Sequence, residues 1–171
     1  YDTIFAVHDV PRKLQMITGN QQTRSAGTLT DTLKVQITDA YGNPIVHSSE
    51  NIYWETVYNG LPVSNAGLID ILPSPPENFT VLDSSVIGTS SQSMAIWRVR
   101  QKAGYDTVRV YLRGADTLLF RATTTNRNAD SVLIFAGNRM TGIYNGSAVT
   151  LKTLVKDTFG NIVPSVFVRY Q

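Results

Sequence analysis

The sequence predicts an all-β chain of sandwich domains repeated in tandem, the last of them incomplete. Three observations predict it. Short runs of β-branched and aromatic residues alternate with polar ones, clusters of Gly, Asn, Asp and Ser separate those runs, and residues 14–46 recur as residues 132–164. No segment keeps a helical period of apolar residues for about three turns, so no helix is expected.

Taken in order, Asp2-Thr3-Ile4-Phe5 echoes Asp116-Thr117-Leu118-Leu119, which makes residues 1–7 the expected terminal strand of a preceding repeat. In residues 32–38, Leu33, Val35 and Ile37 alternate with polar neighbours, the pattern of a strand with one face on a core and one in water. At Asp39–Asn43 the run stops. Gly42 can take positive φ without steric cost, and the Asp39 carboxylate can accept backbone hydrogen bonds two residues on, so a tight connection is expected. Ile52-Tyr53-Trp54 then reads as a strand, whereas residues 58–91, rich in Ser, Pro and Gly and including Pro73-Ser74-Pro75-Pro76, read as an inserted loop. Alternation resumes at Ala95, Trp97 and Val99, at Val108, Val110 and Leu112, and at Leu118, Phe120 and Ala122. Arg113-Gly114-Ala115-Asp116 joins the last two runs as a hairpin turn, so strands over 105–112 and 117–124 should be neighbours.

The repeat is gap-free at an offset of 118 residues. Gly19, Asn20, Thr23, Thr32, Leu33, Lys34, Asp39, Gly42 and Asn43 meet Gly137, Asn138, Thr141, Thr150, Leu151, Lys152, Asp157, Gly160 and Asn161. Those nine identities compare with roughly two expected from average residue frequencies. Tyr41 meets Phe159 and Ile37 meets Val155, so the apolar pattern recurs too. The most polar stretch, residues 125–130, is the expected boundary: a complete domain over 8–126 and the opening part of a second over 127–171.

Asp39-Ala40-Tyr41-Gly42-Asn43-Pro44-Ile45 and Asp157-Thr158-Phe159-Gly160-Asn161-Ile162-Val163 resemble the bacterial immunoglobulin-like domains of the invasin and intimin type. There a strand ends in an Asp-x-x-Gly-Asn turn and a strand carrying an aromatic follows, here Ile52-Tyr53-Trp54 and Val168-Arg169-Tyr170. Met94-Ala95-Ile96-Trp97, Ala103-Gly104 and Thr107-Val108-Arg109-Val110 are similar to the later part of that repeat. The resemblance implies an immunoglobulin-like sandwich with Trp54 at its centre.

Composition narrows the function classes. A net charge of +2 is too small for a nucleic-acid footprint, and no apolar run is long enough for a membrane-spanning helix. With no cysteine, there is no disulfide framework and no thiolate site. His8 and His47 have no serine elbow or metal-ligand spacing near them, so no catalytic residue is assigned and the protein is not expected to be an enzyme. No cofactor is expected either. Calcium would have Asp9, Asp39, Asp130 and Asp157 to draw on, but no dozen-residue loop gathers several acids. Arg109, Arg113 and Arg121, with Tyr111, fall on the alternation opposite to the core and form the candidate surface-binding patch, unless Glu55 on an adjacent strand neutralises it.

The functional expectation is a non-catalytic structural or adhesive segment of a large extracellular bacterial repeat protein, a stalk or spacer at the cell surface. Its partners would be neighbouring repeats of the same chain or other subunits, with surface glycans or a host protein beyond them. Two other readings follow from the same residues. One is a glycan-binding or accessory module of a secreted carbohydrate-active enzyme, suggested by Tyr53 and Tyr111. The other is a filament or surface-layer subunit whose incomplete repeat is finished by strand addition.

Overall fold

Leu33, Val35 and Ile37 all face the interior and are fully buried, as their alternation requires. A computed structural model of the chain describes residues 9–58, 61–62, 67–72, 78–137, 139 and 150–170; among these there are strands and no helix. The strands are β1 (Lys13–Thr18), β2 (Gln22–Ser25), β3 (Leu33–Thr38), β4 (Ser48–Tyr58), β5 (Leu61–Pro62), β6 (Leu68–Leu72), β7 (Leu82–Gly88), β8 (Gln92–Arg98), β9 (Gly104–Leu112), β10 (Thr117–Thr125), β11 (Ser131–Ala136) and β12 (Lys152–Lys156).

Two sheets share one core. The first runs β1-β3-β8-β6, and the second runs β2-β10-β9-β4-β5 with β7 also on β4. Between them lie Leu33, Ile37, Ile69 and Trp97 from one layer and Ile52, Trp54, Val110 and Phe120 from the other, all fully buried. Trp54 takes the expected central place. Its ring tilts against Phe120 at 5.5 Å, and its indole N–H donates to Ser93 Oγ across the layers at 2.9 Å. A buried indole usually finds such an acceptor, although Trp97 Nε1, in the same core, has none among the described residues.

The predicted hairpin is present: β9 and β10 pair antiparallel from Tyr111↔Thr117 to Gly104↔Thr124. Gly114 carries φ +69° at its tip, and Asp116 Oδ2 accepts the Leu14 N–H at 2.7 Å, tying the hairpin to β1. The chain changes sheets between β1 and β2, where β2 pairs parallel with β10. Gly19 makes that crossing with φ +97°, and a Cβ there would sit 2.6 Å from the Thr32 carbonyl oxygen and 2.7 Å from Leu33 Cα. Only glycine fits such an approach to backbone.

The reading of residues 58–91 as an inserted loop is corrected by the structure. This segment supplies β6 and β7; Ile69, Ile71 and Ile87 enter the core, Thr80 bridges Ile69, and Asp83 Oδ2 accepts the Ile71 N–H at 3.0 Å. The Ser and Gly content hid short strands that close sheet edges, where few apolar residues per strand suffice. Pro73-Ser74-Pro75-Pro76 lies outside the described residues, as do residues 1–8 and with them the echoed strand and His8.

The pair β11 and β12 follows the pair β1 and β3 at an offset of 118 residues, with β12 starting one residue later than β3. Leu14↔Ile37 and Met16↔Val35 become Val132↔Val155 and Ile134↔Thr153, with the register slip at the same place. Gln21 (φ 58°) and His47 (φ 57°) have matching left-handed counterparts in Arg139 (φ 57°) and Ser165 (φ 58°). At Gly137 an added Cβ would overlap the Thr150 carbonyl, as at Gly19. A second correction falls here: Val168-Arg169-Tyr170 forms no strand. β4 is held on both sides, by β9 and by β7, and the described residues after Lys156 offer Val168–Tyr170 no such neighbours.

Candidate functional site

The two recurring turns are each held by a buried aspartate that accepts four hydrogen bonds. In the first, Asp39 Oδ1 accepts the N–H groups of Tyr41 (2.8 Å) and Asn43 (2.9 Å), while Oδ2 accepts Asn43 Nδ2 (2.9 Å) and the Asp9 N–H (3.2 Å). In the second, Asp157 Oδ1 accepts from Phe159 and Asn161 (both 2.9 Å), and Oδ2 from Asn161 Nδ2 (3.0 Å) and the Arg127 N–H (2.8 Å). Asp9 and Arg127 are themselves 118 residues apart, so the chain enters both turns by the same route.

Burial alone would raise the Asp39 carboxyl. Hydrogen bonds from the Asn43 side chain and from the backbone of Asn43, Asp9 and Tyr41 outweigh it and hold the pKa at about 2. Burial likewise opposes ionisation at Asp157, where the bonds from Arg127, Asn161 and Phe159 also bring the pKa to about 2. Both carboxylates are thus committed to N–H donors. Of the residues considered for calcium, Asp39 and Asp157 are spent in this way, and no group of three or more His, Asp or Glu able to hold a metal occurs among the described residues.

The second turn also reaches across to the two-sheet unit. Asn161 Nδ2 donates to the Gln101 carbonyl at 2.7 Å, and Asn161 Oδ1 accepts the Ala103 N–H at 2.9 Å. A primary amide has two N–H groups and an acceptor oxygen, so one Asn161 side chain serves its own Asp157 and both backbone groups of the β8–β9 loop. The Phe159 ring lies over Gly27, where a Cβ would meet it at 3.2 Å, and the Arg127 guanidinium sits 5.4 Å from its centroid. Beside Phe159 lies an open cleft of ≈ 660 Å³ whose described lining includes Arg98, Arg100 and Lys102 but no carboxylate or histidine.

The loop that Asn161 clasps is anchored from below. Arg100 Nε lies 2.5 Å from Asp106 Oδ1 as an ion pair, without hydrogen-bond geometry, and Arg100 also donates to the Tyr105 carbonyl at 3.2 Å. Thr124 donates its hydroxyl to Asp106 Oδ2. Burial is the largest influence on Asp106 and raises its pKa to about 6, against the opposing pull of Thr124 and Arg100.

The predicted surface patch is only partly assembled. Arg113 stands 4.6 Å above the Tyr53 ring, Tyr53 stacks on Tyr111 at 5.2 Å, and Arg109 lies 5.2 Å from Tyr111, giving one column. Arg109 Nε also donates to Glu55 at 3.0 Å, so its charge is paired. Arg121 is exposed on the same face, opposite Thr107, and is not part of the column. Within this column each tyrosine ring lies between the other ring and a guanidinium group, while Tyr105, 83% exposed and on the same alternation of β9, stands outside it.

Sequence reasoning placed Asn43 and Asn161 in turns and stopped there. The contacts of Asn161 with Gln101 and Ala103, and the Arg100–Asp106 support, were missed because they join residues about 60 and 6 apart with no periodic signature. The usable signal was the identity of Asp, Gly and Asn in both turns, more than a reversal of chain direction demands.

No protein-family model matches the chain, and no curated protein does. Among solved structures the chain is similar to domains 5–6 of the S-layer protein SbsC, with 14% identity and a TM-score of 0.47 over 90% of this chain and 65% of that one. It is similar to domains 4 and 5 of the same protein, with 13% identity and a TM-score of 0.46 over 67% of this chain and 52% of that one. It is also similar to a β-glycosidase from Bacteroides vulgatus, with 13% identity and a TM-score of 0.47 over 68% of this chain and 14% of that one. The chain spans between about half and two thirds of the two S-layer segments and a small part of the glycosidase.

Proposed function

We propose that the protein is a non-catalytic structural segment of an extracellular bacterial repeat protein, in which tandem immunoglobulin-like domains are joined end to end as a stalk or spacer at the cell surface. The observation that carries this reading is the clasp of Asn161 on Gln101 and Ala103, made from a turn that duplicates Asp39–Asn43 at an offset of 118 residues. A joint built from side chains that also fix the local turn sets one unit at a defined angle to the next. Extended arrays need only such nearest-neighbour contacts. The domains are 8–126 and 127–171, with residues 1–7 belonging to a preceding one.

A second reading, a filament or surface-layer subunit completed by strand addition, has one observation in its favour. Val132, Ile134 and Leu151 are 53%, 59% and 47% exposed, whereas Leu14 and Leu33, the counterparts of Val132 and Leu151, are 7% and 0% exposed. Such an apolar face invites association. Small-angle scattering and sedimentation over a range of concentrations test the two together. The stalk reading expects a monomer of fixed, elongated shape whose radius of gyration grows on Asn161→Ala. A shape insensitive to that substitution would sink it, and concentration-dependent growth that buries β11 and β12 would favour the subunit.

A further inference from the structure

The turns at Asp39–Asn43 and Asp157–Asn161 are built alike but engaged differently. Asn161 is 2% exposed and Phe159 half-buried, both seated on the two-sheet unit, whereas Asn43 is exposed and Tyr41 is 84% exposed. Asn43 has already given one amide N–H to Asp39 Oδ2, as Asn161 has to Asp157. Its second N–H and its oxygen, the atoms with which Asn161 grips Gln101 and Ala103, have no partner among the described residues. The Asp9 N–H sits on Asp39 as the Arg127 N–H sits on Asp157, and in the second case the incoming chain has just left β10 of the unit being gripped.

We infer that Tyr41, Gly42 and Asn43 form a docking surface for a preceding domain of the same kind in the same polypeptide. The partner's chemistry is set by the occupied joint. It presents a loop that crosses between the two sheets, with a carbonyl and an N–H two residues apart, as Gln101 and Ala103 do between β8 and β9, for the Asn43 amide. Beside it stands a side-chain-free position, as at Gly27, over which the Tyr41 ring lies. A second copy of this chain is the poorer occupant, because its own Gln101–Ala103 loop is already held by its own Asn161. This inference rests on the array reading and names the neighbour which that reading requires.

Photo-crosslinking in cells that produce the protein from its own gene tests it, with a photoreactive benzoylphenylalanine replacing Tyr41 in one strain and Phe159 in another. The position-159 probe serves as the internal standard and is expected to attach within the chain near Gly27 or Gln101. With that standard met, the position-41 probe is expected to attach to the corresponding loop or glycine of a like domain upstream in the same polypeptide. Attachment of the position-41 probe to a second copy, to an unrelated protein or to nothing overturns the docking surface while the joint at Asn161 stands. Failure of the position-159 probe to attach near Gly27 or Gln101 overturns the array reading, and the inference with it.

Discussion

Asn43 and Asn161 hold the same place in two copies of one hydrogen-bonded turn, yet Asn161 is 2% exposed and clasps Gln101 and Ala103 while Asn43 faces solvent. The difference lies in what stands opposite, since the local bonds to Asp39 and Asp157 are matched one for one.

Replacing Asn161 with Ala removes two hydrogen bonds across the joint and one to Asp157. Each is worth about 0.5–1.5 kcal/mol net. The two-sheet unit keeps its own core, so its main unfolding transition should hold its midpoint. Hydrogen exchange at the Ala103 and Arg127 amides should accelerate. Unchanged exchange at both would show that the amide does not hold the joint.

Trp54 fills the centre of the two sheets, and Trp54→Ala should cost about 3–5 kcal/mol by leaving a large cavity. The milder Ser93→Ala keeps the ring but strands its indole N–H in the core, at a cost of about 1–3 kcal/mol. Denaturant unfolding of both variants measures the two terms separately, and a Ser93→Ala protein as stable as the parent would mean that the indole finds another acceptor.

On the outer face, Arg109 is the partner of the Glu55 carboxylate among the described residues, and Glu55 is 5% exposed. Arg109→Met should destabilise by about 1–2 kcal/mol, less than a fully buried pair because the guanidinium is partly solvated. Arg121→Met should stay within about 0.5 kcal/mol. Equal effects in urea titrations would remove the distinction drawn between the two arginines.

Acid stability should have two components of opposite sign. Asp39 and Asp157, held at about 2 against an ordinary 3.8, bind fewer protons folded than unfolded; their contribution is full above 3.8 and is lost as the pH falls towards 2. Asp106, raised to about 6, binds more protons folded, so it lowers stability as the pH rises from 3.8 to 6. Urea midpoints across this range should fall less steeply above about pH 4 in Asp106→Asn than in the parent. An identical profile in the variant would remove Asp106 as the source.

Local pattern carried far in this chain. The alternation at Leu33, Val35 and Ile37 and at Val108, Val110 and Leu112 marked strands and their buried faces, because a strand's side chains alternate regardless of what they meet. The turn at Asp39–Asn43 and the offset of 118 residues were also present in the residues alone, since a side chain capping its own backbone needs no distant partner. Residues 58–91 were misread because β6 and β7 are edge strands, whose pairing with β8 and β4 is long-range. The same reason hid the support of the β8–β9 loop by Asp106 and the grip of Asn161 on that loop, whereas the alternation that turns Glu55 outward had already offered it as a partner for the outward arginines, and it pairs with Arg109. Which of two turns with the same hydrogen bonds becomes a joint depends on the surface brought against it, and that is decided by the packing of whole sheets.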